Sequence, residues 1–217
     1  MTVKKYPQSH LVITQGQTKI VIDPGNITFS KGFKAEQFQG ADAYLITHQH
    51  EDHLGLQTIK EIVGEKPVYG NADVAEKLKN LGVDCTMVND RQKFVAAGFE
   101  IEAVDLPHCK MGDGSGGPPN TGFLINPSTS LRTGGVLFHP GDGDRNPGIL
   151  SENVALPIAG PSITMEGALK FAQDLKAEIV IPIHYDFFKN DPDEFAKMAQ
   201  AEGIEVRVLA AGGETII

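Results

Sequence analysis

Cysteine is scarce in this chain. Cys85 and Cys109 are its two. They form neither a disulfide framework nor a Cys-x-x-Cys pair, so free thiols are expected. Positive charge is also short. Nineteen Lys and Arg stand against 28 Asp and Glu, a formal net charge of −9. That balance argues against a broad surface that tracks nucleic-acid phosphates. It leaves room for a small-molecule substrate, an anionic one included, held by a metal. No apolar run approaches the roughly 20 residues of a membrane span. Residues 1–8 lack the apolar centre of a signal peptide. The expected location is therefore cytoplasmic, with neither nucleic acid nor membrane as partner. No repeat or low-complexity linker divides the 217 residues, and a single domain over 1–217 is the simplest expectation. The oligomeric state is left open.

What is present is a run of short apolar segments punctuated by 24 Gly and 13 Pro, the composition of a fold rich in turns and site-bearing loops. Residues 10–14 and 19–23 read as two strands joined at Gln15-Gly16-Gln17-Thr18. Further strands are expected at 43–47, 67–69, 85–88, 93–95 and 99–105, then at 121–125 paired with 135–138. The last are expected at 154–157, 179–183, 205–209 and 214–217. Residues 126–134 are long for a hairpin connection and read as an exposed insertion. Helical spacing appears at 55–63. Asn71 and Thr164 are caps for helices reaching Asn80 and Lys176. Asp191-Pro192-Asp193-Glu194 opens a third, with Pro at the first helical position.

The chemistry concentrates in Thr47-His48-Gln49-His50-Glu51-Asp52-His53, directly after the apolar Ala43-Tyr44-Leu45-Ile46. So many imidazoles and carboxylates at one strand end need a shared partner, and a metal supplies it. Residues 48 and 50 point the same way in extended backbone, whereas Asp52 and His53 follow a turn. Three more candidates also follow apolar runs: His108, Asp142 and His184. Strand ends can gather such side chains at one rim of a sheet. Imidazole and carboxylate without thiolate suit Zn, Mn or Fe.

The run resembles the T-H-x-H-x-D-H signature of the metallo-β-lactamase superfamily. The later order of a lone His, a Gly-Asp pair and a strand-terminal His resembles it too. Further stretches, among them Asn120-Thr121-Gly122-Phe123 and Ile181-Pro182-Ile183-His184-Tyr185, resemble the compact branch related to L-ascorbate-6-phosphate lactonase. That resemblance implies an α+β fold, a four-layer αββα sandwich of two mixed β-sheets with outer helices. It implies two divalent ions, zinc by first choice. His48, His50 and His108 would hold one, Asp52, His53 and His184 the other, and Asp142 would bridge both. A hydroxide between the ions would attack an ester, lactone or phosphodiester, with Asp52 also orienting it. Iron-dependent oxidoreductase chemistry and metal binding without turnover are the competing classes. Where the branch often has a His-Ser pair this chain has Gln8-Ser9, and Gly143 stands where Thr or Ser is common.

Several neighbours have plainer readings. His10 and His139 are expected to be structural or to support ligands, and Asp23 to orient loop backbone or a ligand His. Cys109 reads as a small buried side chain, and Lys110 and Arg145 as solvated charges. For Tyr185, packing and an oxyanion contact are equally open. No substrate-binding residue can be read from the Gly-rich loop at 111–119.

Overall fold

The computed structural model describes residues 1–126, 135–188 and 190–217. Two seven-stranded sheets form the centre. The first runs in the order β14 (Glu214–Ile216), β1 (Thr2–Lys5), β2 (Leu11–Gln15), β3 (Thr18–Ile22), β4 (Ala43–Ile46), β5 (Val68–Gly70) and β6 (Thr86–Met87). The second runs β13 (Glu205–Val206), β12 (Ile179–Ile183), β11 (Asn153–Pro157), β10 (Leu137–His139), β9 (Thr121–Asn126), β8 (Phe99–Asp105) and β7 (Lys93–Ala96). Each sheet is mixed. β14 to β3 pair antiparallel and β3 to β6 parallel. In the second, β13 to β10 pair parallel and β10 to β7 antiparallel.

Alternation along the strands divides the core into three. Ile20, Ile22, Ala43 and Leu45 face inward and meet Ile101, Phe123, Ile125, Ile181 and Ile183 of the second sheet. Their neighbours Val21, Tyr44 and Ile46 face outward, against Phe38 and the helices α2 (Ile59–Val63) and α3 (Ala72–Lys79). On the far side Phe138, Val154, Leu156 and Val180 pack on α4 (Met165–Leu175) and α5 (Pro192–Ala201). The result is four layers, helix–sheet–sheet–helix. Central strands such as β4 and β12 read as unbroken apolar runs because both their faces are covered.

The caps fall where the sequence places them. Asn71 accepts from the Val74 amide, Thr164 from Gly167 and Asp191 from Asp193. Some elements differ from expectation. The helix expected over 55–63 is confined to Ile59–Val63. Gly55 is drawn aside, its amide donating to the Pro24 carbonyl at 3.2 Å, and a Cβ on it would crowd that same oxygen. β1 was not anticipated, since Thr2-Val3-Lys4-Lys5 carries one apolar residue. It is a strand because β2 and β14 flank it, with the Met1 ammonium donating to the Ile217 carbonyl. The short α1 (Asn26–Ser30) was also unread. The connection at 127–134 lies outside the described residues. Among the described residues no helix is long and apolar enough to cross a membrane.

Candidate metal centre

The carboxyl ends of β3, β4, β8, β10 and β12 lead into Asp23, residues 47–53, His108, Asp142 and His184. β8 and β10 both run antiparallel to β9, and β12 runs parallel to β10 through β11. Their carboxyl ends therefore share one edge of the second sheet, facing the loop after β4.

Seven side chains gather there in two groups. His48, His50, His108 and Asp142 offer ligand-type atoms within 4.8 Å of one another, and so do Asp52, His53 and His184. In the first group the three imidazole rings stand nearly perpendicular, at interplanar angles of 79°, 82° and 88°. Asp142 lies between the groups. Its Oδ2 is 3.5 Å from His108 Nε2 and 3.2 Å from His184 Nε2, and its Oδ1 is 3.0 Å from His53 Nε2. His184 Nε2 is also 3.2 Å from Asp52 Oδ2.

The far nitrogens are held by acceptors, which settles the tautomers. His108 Nδ1–H donates to the Cys109 carbonyl at 2.6 Å and His184 Nδ1–H to the Ala159 carbonyl at 2.7 Å. His53 Nδ1–H donates to Asp23 Oδ2 at 2.7 Å. In the neutral ring each Nε2 then carries the lone pair, aimed inward. Asp23 is wholly buried and also accepts from the Thr47 amide and hydroxyl, at 2.8 and 2.7 Å. It orients loop backbone and an imidazole together. Asn120 does comparable work for Asp142, accepting from its amide at 3.2 Å and donating to the Pro140 carbonyl at 2.9 Å.

The electrostatics ask for positive charge. Burial opposes protonation of His53, but the carboxylates of Asp142, Asp23 and Asp52 outweigh it and hold its pKa well above the ordinary value. His184 is raised to about 9, again with burial opposing and Asp142 prevailing. Burial also opposes ionisation of Asp52 and Asp142, yet the imidazoles of His53 and His184 keep both carboxyls low. His48 and His50 go the other way, lowered by burial and then by neighbouring imidazoles. His53 Nε2, His108 Nε2 and Asp142 Oδ1 are buried and make no hydrogen bond, although the first and last lie 3.0 Å apart. Buried polar atoms are rarely left so. Convergent lone pairs, an excess of carboxylate charge and unpaired donor atoms together fit divalent cations.

Backbone strain collects at the same rim. Gln8, Asp23 and His184 have φ of 66°, 49° and 64°, a region costly for residues with a Cβ and found where the surroundings overdetermine it. Gly25 allows the loop after β3 to press on residues 52–53, since a Cβ there would overlap the Asp52 carbonyl.

The plainer readings can be placed as well. His10 is buried against Phe38 and bonded to Thr28. His139 Nε2–H donates to the Ser9 carbonyl, and its Nδ1 accepts from Gly141. Cys109 is buried. The Tyr185 hydroxyl donates to the Leu209 carbonyl at 3.4 Å while Lys5 sits over its ring.

Sequence reasoning missed a relay behind Asp52. Gln8 Nε2 donates to Asp52 Oδ2 at 3.1 Å. Its backbone amide donates to Asp186 Oδ2 at 2.7 Å, and Asp186 is paired with buried Lys5 at 3.0 Å. The unusual Gln8-Ser9 was the available signal. Also missed were Phe187 and Phe188, which line the cavity over the centre with Ile27 and Met111. An aromatic pair three residues past a strand-end His was the clue.

Comparison with known proteins agrees with this geometry. A family model described as beta-lactamase superfamily domain matches residues 2–184. A UPF0173 metal-dependent hydrolase of Pyrococcus furiosus is 33% identical over 219 residues, covering 91% of this chain and 92% of that protein. Another from Thermus thermophilus is 29% identical over 97% of this chain and 96% of its own. Among solved structures, a metallo hydrolase from Ignicoccus hospitalis superposes with a TM-score of 0.73 at 23% identity, covering 100% of this chain and 99% of that one. That likeness shows the shared fold.

Proposed function

The chain belongs to the beta-lactamase superfamily, and from that premise we propose that it is a metal-dependent hydrolase of a small-molecule substrate, with two divalent ions at the rim. His48, His50 and His108 would hold the first ion, Asp52, His53 and His184 the second, and Asp142 would bridge them. Zinc is our first assignment for an imidazole and carboxylate set, with manganese or iron next. The observation that carries the reading is the convergence of seven donor side chains with buried atoms left unpaired between them. Bound there, such a pair of ions supplies a hydroxide nucleophile near neutral pH and polarises the bond under attack.

The chain's own residues do the rest. Asp52 lines the cavity and would orient the nucleophile, held in its rotamer by Gln8 and His184. Asp23 and the Cys109 and Ala159 carbonyls hold the Nδ1–H of three imidazoles, so that the inward Nε2 of each would be the atom offered to a cation. Ester or lactone cleavage is the first choice and phosphodiester cleavage the second. Elemental analysis of purified protein should find close to two divalent ions per chain. Asp142→Asn should lose metal and hydrolysis together. A variant that keeps both its metal and its rate on esters and lactones sinks the proposal.

A further inference from the structure

We infer that the substrate of this site is an uncharged ester or lactone carrying an apolar substituent, seated against an aromatic wall formed by Phe187 and Phe188. The inference rests on the hydrolase reading and narrows its substrate.

The cavity over the centre has a volume of about 390 Å³, within the range that holds a small ligand. Its lining holds His50, His108, His184, Asp52 and Asp142, together with the apolar Ile27, Met111, Pro161, Phe187 and Phe188. The Phe188 ring stacks on His184 with centroids 5.4 Å apart and planes at 30°. Phe187 meets Phe188 edge-on at 5.4 Å and 87°. The aromatic surface is thus continuous with an imidazole of the centre. Phe187 is 71% exposed. A large ring held in water at the mouth of a cavity gains when an apolar group covers it.

Charge makes the second, independent argument. Among the described residues no Lys or Arg lines the cavity, and its carboxylates are Glu51, Asp52 and Asp142. Lys110 is exposed outside the lining, and Arg145 is turned to Asp144 at 2.9 Å. Phosphate groups are ordinarily recognised by Arg or Lys forks. Ions bound at the centre would answer charge on the reacting group itself, but no cationic side chain of the lining offers an anionic substrate a second hold. An uncharged ester needs no such hold. Beyond Asn26, Ile27 and Glu51, which line both, the cavity adjoins a second of about 560 Å³ reaching Phe29 and Leu56. That one also lacks Lys and Arg among its lining residues, and it offers room for a longer chain.

The test uses the metal-loaded protein with p-nitrophenyl esters from acetate to octanoate, and bis(p-nitrophenyl) phosphate beside them. kcat/KM should rise about two- to fourfold per methylene, the increment for burying one, and exceed the phosphodiester value throughout. Phe187→Ala should lower the octanoate value about tenfold, and Phe187→Leu should restore most of it. Calorimetry with straight-chain methyl ketones, on metal-loaded and on EDTA-treated protein, reads binding without turnover. Kd should fall with chain length in both. Metal-dependent hydrolysis that prefers the phosphodiester, or a flat ester series, overturns the inference and leaves the hydrolase reading intact. If no substrate is turned over and no metal is retained, the hydrolase reading fails. The ketone series then still decides the apolar wall, and chain-length-independent Kd values overturn it.

Discussion

The two sheets feed the same rim in different ways. The first contributes His48, His50, Asp52 and His53 from one turn after β4, four donors within six residues. The second contributes His108, Asp142 and His184 singly, from loops after β8, β10 and β12. Contiguous donors are oriented by their own backbone and by one buried hub, Asp23. Scattered donors each need a separate support: a carbonyl for His108, a carbonyl for His184, Asn120 for Asp142. Yet each donor group mixes the two sources. His108 and Asp142 complete the contiguous pair 48 and 50, and His184 completes 52 and 53. The centre therefore reports whether the sheets are docked, and neither sheet can build it alone.

Breaking the bridge should produce the largest effect. Asp142→Asn removes the charge shared by both groups. Metal content should fall towards zero, and kcat/KM should drop beyond the ~10–100-fold typical of losing an outer hydrogen-bond partner. Metal analysis and ester kinetics check it together.

A paired experiment separates the groups. His48→Ala and His184→Ala should each reduce metal content by about one ion per chain, the first from the group around His50 and the second from that around Asp52. Two variants that lose the same ion would show that the groups are not independent.

Supports come next. Asp23→Asn keeps the shape of the contiguous half's hub but weakens its hold on the His53 Nδ1–H, and it should lower metal affinity by about 10–100-fold. Asn120→Ala leaves the buried Asp142 amide and Pro140 carbonyl without partners and should cost about 1–3 kcal/mol of stability. Chelator competition and urea unfolding measure the two. If Asn120→Ala weakened metal binding more than Asp23→Asn, the contiguous half would not be the better supported one.

The smallest effect tests packing beside the first sheet's share of the rim. Burial lowers the His10 pKa from 6.5 to about 3. The unfolded chain takes up this proton near pH 6.5, and the folded chain does so only near 3. The unfolded state thus binds more protons between those values, and stability falls as pH drops through that window. From pH 6.5, where the unfolded imidazole is half protonated, to pH 5 the loss is roughly 1–2 kcal/mol, approaching about 1.4 kcal/mol per unit at the acid end. His10→Phe, which keeps a ring against Phe38, should be less acid-sensitive by that amount in urea titrations at the two pH values.

Much of the fold was legible because its elements carry local signals. The strands of both sheet centres appear as apolar runs, and Asn71, Thr164 and Asp191 announce their helices. β1 was not legible, since its pairing with β14 joins the two chain ends. Residues 55–58 carry helical spacing but are held as a turn by contacts with the loop after β3, which local spacing does not encode. At the centre, the four donors of residues 48–53 were visible from spacing. The three single donors were nominated by apolar runs and assigned by resemblance, and geometry then brought them together. Gln8 was seen only as a departure from a pattern. Its side-chain Nε2 reaches Asp52 while Asp186, 178 residues away, accepts from its strained backbone amide.

By itself the sequence determined most strand and helix positions, the donor chemistry and the turn that carries four of the donors. These follow from alternation, capping and spacing, which act over a few residues. Only the tertiary structure decided which distant donors share a group, which nitrogen each imidazole turns inward and what wall faces the centre. Those depend on where strand ends meet across two docked sheets. Ile27, Met111, Pro161 and Phe187 become neighbours only once burial of the shared core has fixed the sheets against each other.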